Sequence, residues 1–158
     1  MKKRKKWTVE NVIDEYLAKA TPGEGKIYMP KGYKESLNKE EVSCARWIKT
    51  NFGGKIVLIK NSNIVILPDY GWNNKLWELK IPETVKGVDK LVQKGIHQIE
   101  DEPGGMILDI KKIDEKDWKK VMESAVNRIK RSSKQTIDLI EKNDNELISI
   151  LRIKIGDE

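Results

Sequence analysis

The feature that most constrains the fold is a predicted β-hairpin near the middle of the chain. Asn73 and Asn74 lie between two segments rich in aliphatic and aromatic residues, 64–70 and 75–81. Asparagine tolerates the positive φ angles that a two-residue hairpin loop requires, so this pair predicts a tight turn between two antiparallel strands. When the residues that flank the loop face each other, the register of both strands is fixed.

That register places Asp69 directly opposite Glu78. Residues opposite each other have Cβ atoms about 4.5–5.5 Å apart, and two like charges at that distance destabilise a hairpin. A cation between the carboxylates would remove the repulsion, and hard divalent metals such as Mg²⁺ and Mn²⁺ prefer oxygen ligands. Lys80 follows Glu78 by two residues and points to the same face, where an ammonium group can orient a nucleophile or stabilise developing charge. A solvent-exposed hairpin with hydrated charges is the alternative interpretation.

A third carboxylate is predicted to approach this pair from the second predicted helix. At about 100° per residue, Glu41 lies in the middle of the apolar face formed by Ala45, Ile48 and Phe52, whereas Glu40 lies to one side. A buried carboxylate is costly unless it is paired or bound to metal, so Glu41 is a candidate metal ligand. The alternative is a first-turn glutamate that reaches water and is favoured by the helix dipole.

The remaining reactive side chains restrict the chemistry. The chain has one cysteine and one histidine, which excludes a disulfide framework and a cysteine-based or histidine-rich zinc site. Cys44 is predicted to be a buried core residue, and His97 is predicted to face solvent. Gln98, at the border of the apolar face of a predicted helix over residues 83–99, can reach a site beside that helix, although a surface position fits it equally well.

The charge distribution favours a polyanionic partner. The 158 residues carry a formal net charge of +6, and five of the positive charges lie in residues 2–6. Residues 26–60 carry 8 basic and 3 acidic side chains, and residues 111–134 carry 9 and 4. Two basic segments on a nearly neutral body predict a surface that binds a polyanion, or else a plain solvated surface. No apolar run is long enough to cross a membrane, so no membrane partner is expected.

The hydrophobic periodicity predicts alternating helices and strands. In chain order these are a helix capped by Thr8 and running to residue 20, a loop to residue 37, a helix capped by Asn38 and running to about residue 52, strands over 55–60, 64–70 and 75–81, a helix over 83–99, a strand over 106–110, a helix over 117–131, and strands over 136–141 and 146–153. This order predicts an α/β (α+β) fold: a mixed central sheet flanked by helices, extended by a C-terminal helix and β-hairpin. We divide the chain into residues 1–36, a basic tail, helix and loop, and a domain over residues 37–158.

Several segments together resemble the C-terminal tRNA nuclease domains of CdiA toxins, which belong to the PD-(D/E)xK nuclease superfamily. The similar segments are KEEVSCARWIK at 39–49, GGKI at 53–56, PDYGWNNKLWELK at 68–80, Gln98, and GGMILDI at 104–110. The resemblance covers about residues 37–153. It implies a PD-(D/E)xK-like mixed sheet, built from an acidic helix, a strand ending in Pro-Asp, a strand with Glu-x-Lys, and a following helix and strand.

The resemblance also implies roles for individual residues. Glu41, Asp69 and Glu78 would bind a divalent metal, Mg²⁺ or Mn²⁺ with Zn²⁺ as an alternative, and Lys80 would assist the attacking water. Gln98 matches a polar residue of the second core helix and joins the catalytic candidates. The implied partners are tRNA and a cognate immunity protein, and the implied location is the cytoplasm, including that of a target cell reached as part of a secreted effector.

The expected function is a metal-dependent ribonuclease that cleaves tRNA, the toxin domain of a contact-dependent growth inhibition-like system. Two alternatives remain open: a PD-(D/E)xK DNA endonuclease with the same site, and a nucleic-acid-binding module without catalytic activity. Trp72 and Trp77 flank the predicted site, where they could stack on a base or pack on the reverse face of the hairpin.

Overall fold

An eight-stranded sheet with four α-helices forms the fold that the computed structural model describes for residues 6–60, 62, 67–99, 104–132, 134 and 136–156. The strand order across the sheet is β1-β8-β7-β6-β5-β4-β3-β2. The strands are β1 (Lys6–Asn11), β2 (Gly25–Tyr28), β3 (Gly54–Leu58), β4 (Tyr70–Trp72), β5 (Lys75–Lys80), β6 (Gly104–Asp109), β7 (Thr136–Asn143) and β8 (Glu146–Gly156). The helices are α1 (Ile13–Lys19), α2 (Lys39–Asn51), α3 (Val88–Ile99) and α4 (Trp118–Lys130). The predicted mixed α/β sheet is therefore confirmed.

The central hairpin has the predicted turn and register. Asn73 and Asn74 have φ angles of 54° and 58°, which are the positive values that a type I′ loop requires. Trp72 pairs with Lys75 across the turn. Gly71 then pairs with Leu76, and Tyr70 with Trp77. This register brings the candidate carboxylates Asp69 and Glu78 together.

The order α2-β3-β4-β5-α3-β6 forms the middle of the molecule. β3, β4 and β5 pair antiparallel, and α3 then carries the chain over to β6, which pairs parallel with β5. Beyond β6, the C-terminal hairpin extends the same sheet, because β7 pairs parallel with β6 and antiparallel with β8. The predicted helix from Asn38 is confirmed, and it ends before Gly53, whose φ of 71° reverses the chain.

The two faces of the sheet carry separate hydrophobic clusters. Trp77 and Leu79 of β5 belong to the cluster that includes α2. Met106 and Leu108 of β6 belong to the cluster beneath α3 and α4, and they pair with Glu78 and Lys80 in register. Because residues in register point to the same side of a sheet, Glu78 and Lys80 lie on the α3 face.

The predicted first helix is wrong over its first half. Residues 6–11 form β1, which pairs antiparallel with β8 from Lys6 to Asn11, and the helix begins only at Ile13. The Asn11 side chain accepts a hydrogen bond from the Ile13 N–H at 3.0 Å and thereby marks the helix start. Pairing with a strand more than 130 residues away in the sequence outweighed the local helical pattern that Thr8 seemed to cap.

Three further boundaries differ from prediction. The loop expected before residue 37 contains β2, which pairs parallel with β3, and a short 3-10 turn. The helix expected from residue 83 begins at Val88, after a turn in which the Thr84 hydroxyl accepts a hydrogen bond from the Gly87 N–H. The strand expected over residues 64–70 falls partly on 64–66, which lie outside the described residues, and β4 begins at Tyr70.

Gly105 is expected to be essential for the packing of the central strands. A Cβ added there would lie 2.3 Å from the Trp77 ring, whereas a Cβ at Gly71 would meet only the Val57 Cβ of the described residues, at 3.9 Å. Gly105→Ala should therefore lower the free energy of unfolding by about 1–3 kcal/mol, and Gly71→Ala should leave it nearly unchanged. Denaturant unfolding of both variants checks this, and equal stabilities would contradict the proposed clash.

Candidate active site

Asp69 immediately precedes Tyr70 in the chain. It therefore lies just beyond the pair that ends the β4–β5 ladder, Tyr70 with Trp77. Its backbone N–H donates to the Trp77 carbonyl at 3.0 Å, and its carboxylate accepts a hydrogen bond from the Leu79 N–H at 2.8 Å. Asp69 therefore bonds to the residues on both sides of Glu78. These two contacts hold its carboxylate next to that of Glu78.

Glu78 is a buried carboxylate with an unsatisfied oxygen. Only 2% of its surface is exposed, and its Oε1 has no hydrogen-bond partner among the described residues. Its Oε2 lies 3.4 Å from the Lys80 Nζ. Burial raises the pKa of Glu78 to about 9, a hydrogen bond with Asp69 and its negative charge add to the rise, and Lys80 opposes it.

Glu41 reaches the same neighbourhood from α2. Burial raises the pKa of this half-buried carboxyl, and the Asp69 charge raises it further, while a local backbone hydrogen bond and Lys80 lower it. The Tyr70 hydroxyl donates to the Glu41 carbonyl oxygen at 2.5 Å and ties the start of α2 to β4. Glu40 is exposed and pairs instead with Lys111 at 2.8 Å.

The structure brings two of the three predicted metal ligands, Asp69 and Glu78, side by side and places the third, Glu41, nearby. Within the described part of the chain, no group of three or more His, Cys, Asp or Glu side chains is arranged to hold a metal ion. Asp69 and Glu78 are close neighbours, and Glu41 is near enough to interact with Asp69 electrostatically. Two adjacent carboxylates with an unpaired buried oxygen are chemically suited to a hard divalent cation, so the pair fits the predicted metal without completing its ligand set.

Lys80 and Gln98 lie on the α3 side of this pair. A Cβ at Gly95 of α3 would come within 3.5 Å of the Lys80 Cε, so the absence of a side chain there leaves room for the lysine. Gln98 follows Gly95 by three residues and thus lies on the same side of the helix. Its Oε1 is buried without a hydrogen-bond partner among the described residues, which is compatible with a ligand-binding amide.

Tyr33 belongs to the site but had no signal in the sequence. It is half-buried in the segment before α2, and burial raises the pKa of its hydroxyl to about 12, with the negative charges of Glu41 and Asp69 contributing. Its phenol therefore lies within electrostatic range of both carboxylates. Tyr33 lies in a predicted loop, where neither periodicity nor spacing identifies an individual residue as part of a site.

The other predicted residues fall outside the site. His97 is exposed and Cys44 is buried, as predicted. Trp72 and Trp77 are buried on the α2 side, and their indole N–H groups donate to the carbonyl oxygens of Gly53 and Trp72 respectively. The stacking interpretation of these two tryptophans is therefore wrong, and the packing interpretation is confirmed.

No protein-family model, no curated protein and no solved structure matches this chain. Of the described helices, none has the length and apolar character needed to cross a membrane. What the arrangement offers chemically is a buried carboxylate pair, a lysine 3.4 Å from one carboxylate, and a third carboxylate and a phenol nearby.

Proposed function

We propose that this chain is a metal-dependent nuclease with a PD-(D/E)xK-like site and that its substrate is tRNA. The observation that carries the proposal is the juxtaposition of Asp69, the residue just before β4, with Glu78 of the antiparallel neighbour β5, with the Lys80 Nζ 3.4 Å from Glu78. The order α2-β3-β4-β5-α3-β6 agrees with the order of elements that the sequence resemblance implies.

A purely structural role accounts poorly for this cluster. Glu78 is almost completely buried, and ionising it beside Asp69 costs free energy because burial and the neighbouring charge both favour the protonated form. Lys80 supplies one positive charge against two carboxylates, or three when Glu41 is included. Additional positive charge would stabilise the ionised cluster, and a divalent cation supplies it.

The residues divide the chemistry among them. A divalent cation held by Asp69 and Glu78, with Glu41 as a further ligand, would supply Lewis-acid stabilisation of the phosphate and a nucleophile at neutral pH. Asp69 is oriented for this role by the Leu79 N–H. Lys80 would hold its ammonium group toward the scissile phosphate, where it stabilises the charge that develops during in-line attack.

The choice of tRNA rests on the sequence resemblance and on the distribution of positive charge. Lys26 and Lys55 lie on the adjacent strands β2 and β3, both exposed and directly paired across them. Phosphate contacts of this kind supply affinity without specifying a base sequence. The toxin role, action in the cytoplasm of a target cell, and a cognate immunity protein as partner complete the proposal.

The decisive experiment incubates the purified protein with total tRNA and, separately, with plasmid DNA. We expect cleavage of a subset of tRNA in Mg²⁺ or Mn²⁺, loss of cleavage in excess chelator, an unchanged circular dichroism spectrum, and recovery when metal is added back. Plasmid cleavage with intact tRNA would identify a DNA endonuclease instead, and full activity in chelator would refute the metal mechanism.

A companion experiment in cells tests the toxin role. Induced expression is expected to arrest growth with cleavage of the same tRNA subset, and co-expression of the neighbouring open reading frame is expected to restore growth. Growth arrest that persists in an Asp69→Asn variant without tRNA cleavage would favour a binding module over an enzyme.

A further inference from the structure

A row of residues that pair across four strands lies next to the carboxylate pair on the α3 face of the sheet. Tyr28 pairs with Val57, Val57 with Gly71, and Gly71 with Leu76, so the row crosses β2, β3, β4 and β5. Leu76 precedes Glu78 by two residues, which places it on the same face at about 6.7 Å along the strand. The row therefore ends beside the candidate active site.

The row is accessible to a ligand. Tyr28 is 42% exposed, and the other three residues are half-buried. Val57, Gly71 and Leu76 line a cavity of about 1070 Å³, which also extends along the hairpin turn toward the end of α1. A cavity of this size equals or exceeds those that hold drug-sized ligands, so it can accommodate a nucleotide.

Two lysines border the row on the side away from the carboxylates. Lys26 and Lys55 pair with each other across β2 and β3, and their Nζ atoms lie 5.2 Å and 5.1 Å from the centroid of the Tyr28 ring. No carboxylate of the described residues forms an ion pair with either ammonium group. Both ammonium groups lie over the tyrosine ring and not on a carboxylate, so a base that stacks on the ring would displace them toward its own phosphates.

We propose that this row is a binding subsite for unpaired nucleotides of a single-stranded nucleic acid. One base stacks on Tyr28, a neighbouring base lies on the floor that Gly71 keeps flat, and Lys26 and Lys55 contact the phosphates between them. Only an unpaired base can place its ring face against such a floor, and aromatic stacking combined with basic side chains is how proteins bind single strands. The inference rests on the proposed nuclease function in one respect, namely that the bound nucleotides lie next to the cleaved bond. The cleaved bond would then lie in an unpaired segment of the RNA.

Gly71→Val is the sharpest test because it fills the floor without an evident cost to the fold. Among the described residues, a Cβ there would contact only the Val57 Cβ, at 3.9 Å, and valine is favoured in strands. Tyr28→Leu provides an independent test, since it removes the aromatic face and keeps an apolar side chain. Gly156→Val, on β8 far across the sheet, is the matched control, because a Cβ there would meet, within the described part of the chain, only the Lys6 O at 3.5 Å and the Thr8 Cγ2 at 3.9 Å.

Binding is measured by fluorescence anisotropy with a labelled 12-nucleotide single-stranded RNA and a duplex of equal length, without divalent metal and in a Glu78→Gln background. We expect Gly71→Val and Tyr28→Leu each to weaken single-strand binding at least about fivefold, with much smaller effects on the duplex and no effect of Gly156→Val. Thermal unfolding of each variant confirms that it is folded, and if Gly71→Val proves unfolded, Tyr28→Leu decides.

The outcomes separate this inference from the nuclease proposal. Single-strand binding that is absent in the parent protein, or unchanged in both variants, overturns the subsite. Weakened single-strand binding in both variants supports the subsite. If the wild-type protein nevertheless cleaves no RNA, the nuclease proposal fails and the subsite stands.

Discussion

Replacing Glu78 with glutamine is expected to abolish cleavage and at the same time stabilise the protein. The substitution keeps the shape of the side chain but replaces a buried carboxyl, whose ionisation beside Asp69 is unfavourable, with a neutral amide. We expect cleavage to fall by about 10³-fold or more. We also expect the free energy of unfolding at pH 8 to rise by about 0.5–2 kcal/mol, because active sites commonly sacrifice stability for function.

The pH dependence of stability provides the second readout for this prediction. Because the pKa of Glu78 is raised to about 9 in the folded protein, protonation favours the folded state. The stabilisation from the protonated Glu78 carboxyl is complete below pH 4.5, the ordinary pKa of a glutamate. It is lost as the pH rises toward 9. The stability advantage of Glu78→Gln over the wild type should therefore grow between pH 5 and pH 9 in denaturant titrations.

Glu141 is the matched control for Glu78. It too is a buried glutamate with one oxygen that lacks a hydrogen-bond partner among the described residues, and burial raises its pKa to about 7, opposed by a hydrogen bond with Ser149. Glu141→Gln should also stabilise the protein above pH 7 but should leave cleavage intact. Equal loss of cleavage in both variants would contradict a specific role for Glu78, and destabilisation by Glu78→Gln at pH 8 would show that Lys80 fully compensates its charge.

The carboxylate pair could be predicted from the sequence because its placement depends on local structure. Two asparagines determine the turn, and the turn determines which residues face each other a few positions away. The phase of Glu41 against Glu40 could likewise be predicted, since an α-helix of known start has a fixed periodicity. In each case the contact follows from geometry within one element or one hairpin.

The features that escaped prediction depend on contacts distant in the sequence. β1 exists because β8 supplies its hydrogen-bond partners, and Tyr33 is near Asp69 only because the segment before α2 packs against the hydrophobic cluster that includes α2. The burial of Trp72 and Trp77 likewise depends on α1 and α2 packing against the face opposite Glu78 and Lys80. Local patterns carry no information about such pairings, and tertiary packing then overrides local preference.

Removing the Asp138 carboxylate is expected to cause the largest loss of stability. Asp138 is completely buried in β7 and accepts hydrogen bonds from the Tyr16 hydroxyl at 2.5 Å and from the Arg152 Nε at 2.8 Å. Asp138→Ala would leave both donors without this acceptor in the interior. Breaking a buried charge pair from one side typically costs about 3–5 kcal/mol, a large part of the 5–15 kcal/mol that stabilises a typical domain.

Asp89 provides the comparison for Asp138 in the same denaturant titrations. It pairs with Arg128 and Arg131 at the surface, where water replaces lost contacts, so Asp89→Ala should have a much smaller effect. Asp138 lies on the face opposite the carboxylate pair, in register with Trp77 through Gly105. Cleavage per folded molecule should therefore be unchanged in Asp138→Ala.

A loss of stability in Asp138→Ala no larger than that of Asp89→Ala would mean that Glu15 alone satisfies Arg152, to which it is bound at 2.6 Å. The expected larger loss has a structural reason. Asp138 connects β7 with Tyr16 of α1 and with Arg152 of β8, the strand that also pairs with β1. One buried carboxylate thereby holds the N-terminal helix against the sheet, a contact between residues 122 positions apart in the chain.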